Sequence, residues 1–177
     1  MRDFSLTLLY ARARILFSTR AIVALRLFTD KTDLCESMFA LIRHAEYDIG
    51  SGLLTDRGRE DAHTLVRQLV DTRSQWQDIR TSPVSRCRET ASILGQGLNL
   101  SVIDDGRLAM DGNNVDLLPP TEPHGCIFVS HLPVLTGMLR VWSKRFHQQE
   151  PPLTKESSGY VIDPERKMIT PIGVIVV

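Results

Sequence analysis

The chain has 177 residues, 42% hydrophobic and 24% charged, which suits one soluble globular domain with a sizeable core. Its formal net charge is zero, so bulk electrostatic attraction to nucleic acid is not indicated. The three widely spaced cysteines, Cys35, Cys87 and Cys126, fit neither a disulfide framework nor a zinc pattern. We interpret them as small buried residues of a cytoplasmic protein in a reducing compartment.

Residues 1–36 are predicted to be a basic, helical N-terminal extension, to which the sequence assigns no role. Residues 1–30 contain five arginines and two aspartates, and no uncharged run approaches the roughly 18 residues that a membrane span needs. Three interpretations stay open: an amphipathic helix that packs on the domain or makes peripheral contact with an anionic membrane, an organelle presequence, and sequence upstream of a natural start at Met38.

The first predicted strand is the short apolar run 38–42, which stops at Arg43 and His44. Such a run, bounded by polar residues, indicates a strand that is buried on both faces. A loop with two glycines follows. A helix then begins with Thr55 or Asp56 as its N-cap, and its apolar residues recur at helical spacing.

Further strands alternate with helices along the rest of the chain. The strand 79–81 leads to Ser82 and Pro83, predicted as the N-cap and first residue of a helix that stops near Gly95 or Gly97. Strands 101–103 and 126–129 follow, and Pro133 begins a helix that runs to about residue 146. The last two strands are predicted at 159–162 and 168–177. The alternation predicts a three-layer α/β/α sandwich over residues 37–177, with a mostly parallel central sheet and an antiparallel edge.

Polar side chains stand at three of the predicted strand ends. Arg43 and His44 follow the first strand, Arg86 the second and His131 the fourth. The carboxyl ends of parallel strands share one sheet edge, so these residues should form an anion pocket. Helix N-termini near Pro83 and Pro133 would add backbone N–H groups. Metal binding by the two histidines is the weaker interpretation, because no carboxylate or cysteine cluster accompanies them.

Four segments, in this order and spacing, resemble the histidine phosphatase superfamily, which includes the phosphoglycerate mutases. They are residues 41–46 (LIRHAE), 54–58 (LTDRG), 81–91 (TSPVSRCRETA) and 129–131 (VSH). The resemblance covers about residues 38–177. The short core and the sequence around residues 54–55 and 130–133 look most like the small phosphohistidine phosphatases of the SixA type.

The resemblance implies a phosphoglycerate mutase-like fold and assigns roles to individual residues. His44 would be the nucleophile and pass through a phosphohistidine, Arg43 and Arg86 would grip phosphoryl oxygens, and a protonated His131 would complete the charge clamp. Thr55 is placed among the substrate-binding residues. No metal and no other cofactor is implied, since this chemistry depends on positioning and electrostatics.

Two positions differ from the usual pattern of the family. Ala45 stands where glycine is usual, which is tolerable if its backbone has negative φ. The general acid is open between Asp111 and Glu46, and both residues also fit solvated surface carboxylates. A phosphoramidate leaving group needs less acid assistance than an alkoxide, so a missing acid would favour phosphohistidine as substrate.

The expected function is therefore metal-independent phosphatase activity on protein phosphohistidine or on a small phosphorylated compound. The alternatives are a phosphomonoesterase for sugar or nucleotide phosphates and a non-catalytic phosphate-binding module. A mutase is less favoured, because little chain is left to build a cap that would retain the intermediate.

Overall fold

The apolar run after Met38 forms strand β1 (Phe39–Arg43), whose first four residues are fully buried. In this computed structural model the described residues are 38–72, 74–110, 125–152 and 155–173. The predicted extension 1–36, Cys35, Asp111 and residues 174–177 of the last predicted strand lie outside them. None of the helices in the described ranges is long and apolar enough to cross a membrane.

The described residues contain a mixed sheet of six strands. After β1 come β2 (Asp78–Thr81), β3 (Ser101–Asp104), β4 (Cys126–Ser130), β5 (Ser158–Asp163) and β6 (Met168–Gly173). The spatial order is β3-β2-β4-β1-β5-β6. The first four strands in this order pair in parallel, and β5 and β6 add the predicted antiparallel edge.

Helices cover both faces of the sheet. They are α1 (Asp56–Asp71), α2 (Ser85–Leu98) and α3 (Leu132–Phe146), with a 3-10 turn at Gly106–Leu108. Because strand side chains alternate between faces, Phe39 and Leu41 pack in a core with α3, whereas Ala40 and Ile42 pack with α1 and α2. The predicted three-layer α/β/α architecture is confirmed.

The start of α2 differs from the prediction. The N–H of Ser82 still donates to the carbonyl of Val129 at 3.0 Å, so Ser82 continues the ladder with β4, and its hydroxyl bonds His131 rather than a helix N–H. The helix begins three residues later at Ser85, and its N-cap, Val84, provides no side-chain hydrogen bond. By contrast, Thr55 caps α1 as predicted.

The end of α2 also differs, because the helix continues past both glycines and stops at Leu98. Asn99 takes the left-handed conformation, with φ of 56°. The glycines instead permit close packing: a Cβ on Gly95 would lie 2.7 Å from Val102, and one on Gly97 would lie 2.5 Å from Val66. Their role is the contact of α2 with its neighbours rather than a helix cap.

Candidate active site

Three adjacent strand ends bring the predicted residues together at one edge of the sheet. Arg43 is in register with Ser130, and the N–H of His44 donates to the carbonyl of Ser130 at 3.1 Å. His131 follows Ser130, so the two imidazole rings lie side by side with centroids 5.3 Å apart. Arg86 reaches the same place from the first turn of α2, as its hydrogen bond to His131 shows.

The ring of His44 is held in one tautomer. Its Nδ1 lies 2.9 Å from the carbonyl oxygen of Ala45, which can only accept, so Nδ1 carries the proton and Nε2 keeps its lone pair. Burial lowers the pKa of His44, aided by the charges of Arg86 and Arg43, while the Ala45 hydrogen bond and Glu156 act in the opposite direction. His44 is therefore a neutral imidazole with Nε2 available as a nucleophile at neutral pH.

The backbone after His44 is fixed by Thr90. The N–H of Ala45 donates to Thr90 Oγ1 at 3.0 Å, and the Thr90 hydroxyl donates to the carbonyl of Arg86 at 2.7 Å. Ala45 is fully buried and has no positive φ, so its Cβ fits where the family usually has glycine. Thr90 lies in the segment 81–91, and its role is evident only from these two hydrogen bonds.

Arg86 is held so that part of its guanidinium stays available. It lies over the ring of Tyr47, 4.6 Å from the centroid, and its Nη2 is 3.1 Å from His131 Nδ1. Its Nε is buried and has no hydrogen-bond partner among the described residues. A buried N–H of this kind is a donor suited to an anion's oxygen. Tyr47 also meets the ring of His44 edge-on at 5.2 Å, a contact that the sequence did not predict.

His131 is neutral in this arrangement, and its predicted protonation in the charge clamp around a phosphoryl group stays a prediction. Because Arg86 donates to Nδ1, the proton of the ring is on Nε2, which donates to Ser82 Oγ at 3.0 Å. Burial and the charges of Arg86, His44 and Arg43 lower the pKa of His131 from 6.5 to about 4. The second histidine thus starts uncharged beside two arginines.

A buried thiol adjoins His131 but does not compete as a nucleophile. The sulfur of Cys87 lies 3.5 Å from His131 Nε2. Burial raises the pKa of Cys87 to about 12, so it remains a neutral thiol. Cys87 and Cys126 are both free and buried, as predicted.

Arg43 is partly occupied by a carboxylate that the sequence did not reveal. Its guanidinium pairs with Glu156, and the side chains are 21% and 38% exposed. The pair spans 113 positions of sequence, so no local pattern predicts it. The N–H of Ser157, next to Glu156, donates to the carbonyl of His44 at 3.2 Å.

Glu46 and Thr55 connect the nucleophile loop to α1. The Thr55 hydroxyl donates to Glu46 Oε1 at 3.0 Å and accepts from the N–H of Gly58 at 3.0 Å. A Cβ on Gly58 would lie 2.1 Å from the carbonyl oxygen of Glu46, so only glycine permits this approach. Because the one hydroxyl proton of Thr55 is engaged, a substrate would have to displace Glu46 to accept it. The predicted roles of Glu46 as acid and Thr55 as ligand stay predictions, and Asp111 lies outside the described residues.

The helix starts at this edge add to its positive potential. Neither Val84 at α2 nor His131 at α3 caps its helix with a side chain, which leaves first-turn N–H groups for an anion. Across the described ranges, no three His, Cys, Asp or Glu side chains are grouped as a metal site would require. The arrangement suits binding of a phosphoryl-sized anion in front of His44 Nε2.

Comparisons with known proteins identify one matching family model and several similar folds. The model of the histidine phosphatase superfamily (branch 1) matches residues 39–110, whereas no curated protein matches the chain. The putative phosphohistidine phosphatase SixA from Agrobacterium tumefaciens has a similar structure, with TM-score 0.58 and 18% identity over 79% of this chain and 97% of that one.

Two further solved structures are similar. The protein histidine phosphatase SixA complexed with tungstate has TM-score 0.58 and 21% identity over 78% of this chain and 94% of that one. The mycobacterial glucosyl-3-phosphoglycerate phosphatase complexed with VO3 has TM-score 0.52 and 16% identity over 79% and 98%. At such identities the likeness shows a shared fold.

The family match includes two of the segments that contain candidate catalytic residues. Residues 39–110 contain the nucleophile strand with His44 and the helix start with Arg86, and the shared fold extends the likeness to the strand that ends before His131. Residues 39–110 therefore match the histidine phosphatase superfamily (branch 1), and the described chain has the fold of the solved phosphatases that it resembles.

Proposed function

We propose that the protein is a histidine phosphatase that hydrolyses phosphohistidine, or a small phosphorylated compound, through a covalent phosphohistidine on His44. One observation carries the proposal: the Ala45 carbonyl holds the proton of His44 on Nδ1, so that Nε2 keeps its lone pair in a pocket with two arginines. A neutral nucleophile among fixed cations is what in-line attack on an anionic phosphoryl group requires.

The reaction divides into two displacements. In the first, the lone pair of His44 Nε2 attacks phosphorus and the leaving group departs with the electron pair of the broken bond. In the second, water attacks phosphorus, the electron pair returns to Nε2, and phosphate is released. Arg86 Nε and the guanidinium of Arg43 stabilise the equatorial oxygens in both steps.

His131 changes its charge during binding in this proposal. A phosphoryl group brings negative charge beside a ring whose pKa is lowered mainly by burial and next by Arg86. Opposite charge favours the protonated form, so His131 takes up a proton on Nδ1, and this N–H donates a hydrogen bond to a phosphoryl oxygen. Arg86 Nη2 is then released from Nδ1 to the same group. Binding of the substrate thus adds the positive charge of His131 to those of the two arginines around the phosphoryl group.

The likeness to the two SixA structures supports phosphohistidine as the substrate. Glu46 is the carboxylate nearest to His44 in sequence. It accepts a hydrogen bond from the Thr55 hydroxyl, which holds it in the loop. An imidazole leaving group departs from a weak P–N bond and needs little acid assistance.

We propose further that the catalytic domain spans residues 37–177, that residues 1–36 are an extension and that the protein is cytoplasmic.

A second candidate is a phosphomonoesterase for sugar or nucleotide phosphates. The glucosyl-3-phosphoglycerate phosphatase structure supports it, because that enzyme has the same fold and acts on a phosphate ester. An alkoxide leaving group needs a proton, so this candidate requires an acid such as Asp111.

The deciding experiment is an activity panel with a chelator present. It compares a phosphohistidine protein, p-nitrophenyl phosphate and sugar phosphates, and it traps labelled phosphoenzyme under base. We expect preferential turnover of the phosphohistidine protein and an acid-labile, base-stable label on His44. Label without preference for the phosphoramidate would favour the monoesterase, and absence of label would favour a non-catalytic binding module.

A further inference from the structure

Glu156 lies in a turn that is tied to the nucleophile. The N–H of Ser157 donates to the carbonyl of His44 at 3.2 Å, and Ser158 Oγ donates to the carbonyl of Lys155 at 2.8 Å. Ser157 has φ of 55°, which bends the chain at this point. The position of Glu156 is therefore set by backbone contacts on both of its sides.

Close packing of β5 on β1 fixes the same turn from its other end. A Cβ on Gly159 would lie 1.9 Å from the carbonyl oxygen of Leu41, so only glycine permits the approach of the two strands. The carboxylate that pairs with Arg43 is thus part of the architecture of the pocket.

The described part of the pocket includes the carboxylate of Glu156 beside its cations. Arg43 and Arg86 are charged, while His44 and His131 are neutral. The charge of Glu156 acts on His44 in the direction that raises its pKa, which places the carboxylate within electrostatic reach of the reacting ring. A second anionic group on a substrate would be repelled by Glu156, and a cationic group would be attracted.

We propose that Glu156, paired with Arg43 beside His44, is a specificity-determining residue that selects substrates by the charge next to the phosphoryl group. It favours a phosphorylated imidazolium and disfavours phosphate esters that carry a carboxylate or second phosphate. This inference rests on the proposed function, since it assumes phosphoryl transfer to His44.

The favoured substrate class requires no proton transfer in the first step. Attack by His44 Nε2 forms one P–N bond and breaks another, and the electron pair of the broken bond goes to the leaving nitrogen. An imidazolium thereby leaves as neutral imidazole. Glu156 stabilises the positive charge of the bound substrate, and Arg43 becomes available to the phosphoryl group.

The test compares kcat/KM for three probes in wild type and Glu156→Gln. The probes are a capped phosphohistidine peptide, p-nitrophenyl phosphate and 3-phosphoglycerate. We expect a fall of roughly 5–20-fold for the peptide and a rise of similar size for 3-phosphoglycerate, because a charge contact at the pocket edge is lost or relieved. The rate with p-nitrophenyl phosphate should change less than about 3-fold.

Two matched variants serve as controls. Glu156→Asp keeps the charge and should keep the order of preference. Glu165→Gln removes an equal charge from the exposed turn between β5 and β6 and should leave all three rates unchanged. If Glu156→Gln folds poorly, the wild-type ratio of peptide to 3-phosphoglycerate rates is measured against salt, and we expect it to fall as screening increases.

Equal changes for all three probes would overturn the inference, because Glu156 would then only occupy Arg43. No change in any rate, or a salt-independent ratio, would overturn it as well. Failure of the proposed function is seen separately, as absence of label on His44 in the wild type.

Discussion

Arg86 Nη2 donates to His131 Nδ1 at 3.1 Å, and this one hydrogen bond decides where the proton of His131 resides. An arginine cannot accept, so the ring must hold its proton on Nε2 and direct it at Ser82. His131 is consequently an unprotonated base in this arrangement, and in the proposed reaction it takes up a proton when the phosphoryl group binds.

The lowered pKa of His131 predicts a pH-dependent stability. Its pKa is about 4 in the folded chain against 6.5 unfolded, so the unfolded chain binds more protons between these values. This contribution is present above pH 6.5 and is lost as the pH falls towards 4. From pH 7 to pH 5 the free energy of unfolding should fall by about 2 kcal/mol through His131.

Urea unfolding in phosphate-free buffer at both pH values measures this loss. His131→Gln should reduce the loss without removing it, because His44 contributes with the same sign. The exposed His63 supplies a control, and His63→Gln should keep the wild-type loss. An undiminished loss in His131→Gln would contradict the lowered pKa.

His44→Ala should abolish turnover by at least ~10³-fold, as removal of a covalent nucleophile does. The lost group is the Nε2 lone pair that the Ala45 contact keeps unprotonated. Initial rates and label trapping are measured together, with His63→Ala as the control. Turnover that survives in His44→Ala would exclude the covalent mechanism.

Arg86→Ala should lower kcat/KM by roughly 10²–10³, like loss of one preorganised charge-stabilising donor. Arg86→Lys should recover only part of this loss, because the ammonium of lysine cannot make the bidentate contact of a planar guanidinium. Arg88, two positions on, pairs with Asp104 at the exposed side of α2, so Arg88→Ala should keep nearly full activity. Full activity in Arg86→Lys would mean that Arg86 does not contact the phosphoryl group directly.

Tyr47→Ala should weaken phosphate binding by roughly 2–5-fold, because the guanidinium of Arg86 loses the aromatic face beneath it. Tyr47→Phe keeps that face and should bind phosphate like the wild type. Competitive inhibition by inorganic phosphate measures the affinity. Equal weakening in both variants would assign the effect to the hydroxyl instead.

The general acid is tested through the leaving group. If Asp111 protonates an alkoxide, Asp111→Asn should slow sugar phosphates far more than p-nitrophenyl phosphate, whose leaving group needs no proton. We expect only a modest effect and preferential activity on the phosphoramidate. Glu46→Gln is assayed with the same substrates to determine whether the general acid lies beside the nucleophile. A large loss confined to sugar phosphates in Asp111→Asn would favour the monoesterase.

The parts of the fold that follow from local patterns were predictable. Short apolar runs indicated β1 and β4, and the rule that parallel strands end at one edge predicted that His44 and His131 lie together. The prediction that the helix begins at Ser82 was wrong, because the hydrogen bonds between β2 and β4 continue to Ser82. A pairing partner 45 or more positions away decides such a boundary, and local sequence does not contain it.

The details of the site that depend on three-dimensional proximity were not predictable. Glu156 meets Arg43 from a distant turn, and no residue near it in sequence marks it as part of the pocket. The neutral state of His131 follows from burial and neighbouring charges, which only the folded arrangement supplies. The sequence predicted which residues meet at the site, whereas the charges of those residues followed only from the structure.

The hydroxyl of Thr90 accepts the Ala45 N–H and donates to the Arg86 carbonyl, and this has a consequence for how the enzyme can lose activity. Ala45 is fully buried, and its amide is bonded to Thr90 of α2, so a small local movement does not expose it to solvent. Its hydrogen exchange should therefore require the same large opening that exposes the core. The residue beside the nucleophile would rank among the slowest-exchanging amides of the described domain, and heat would inactivate the enzyme only as the domain itself unfolds.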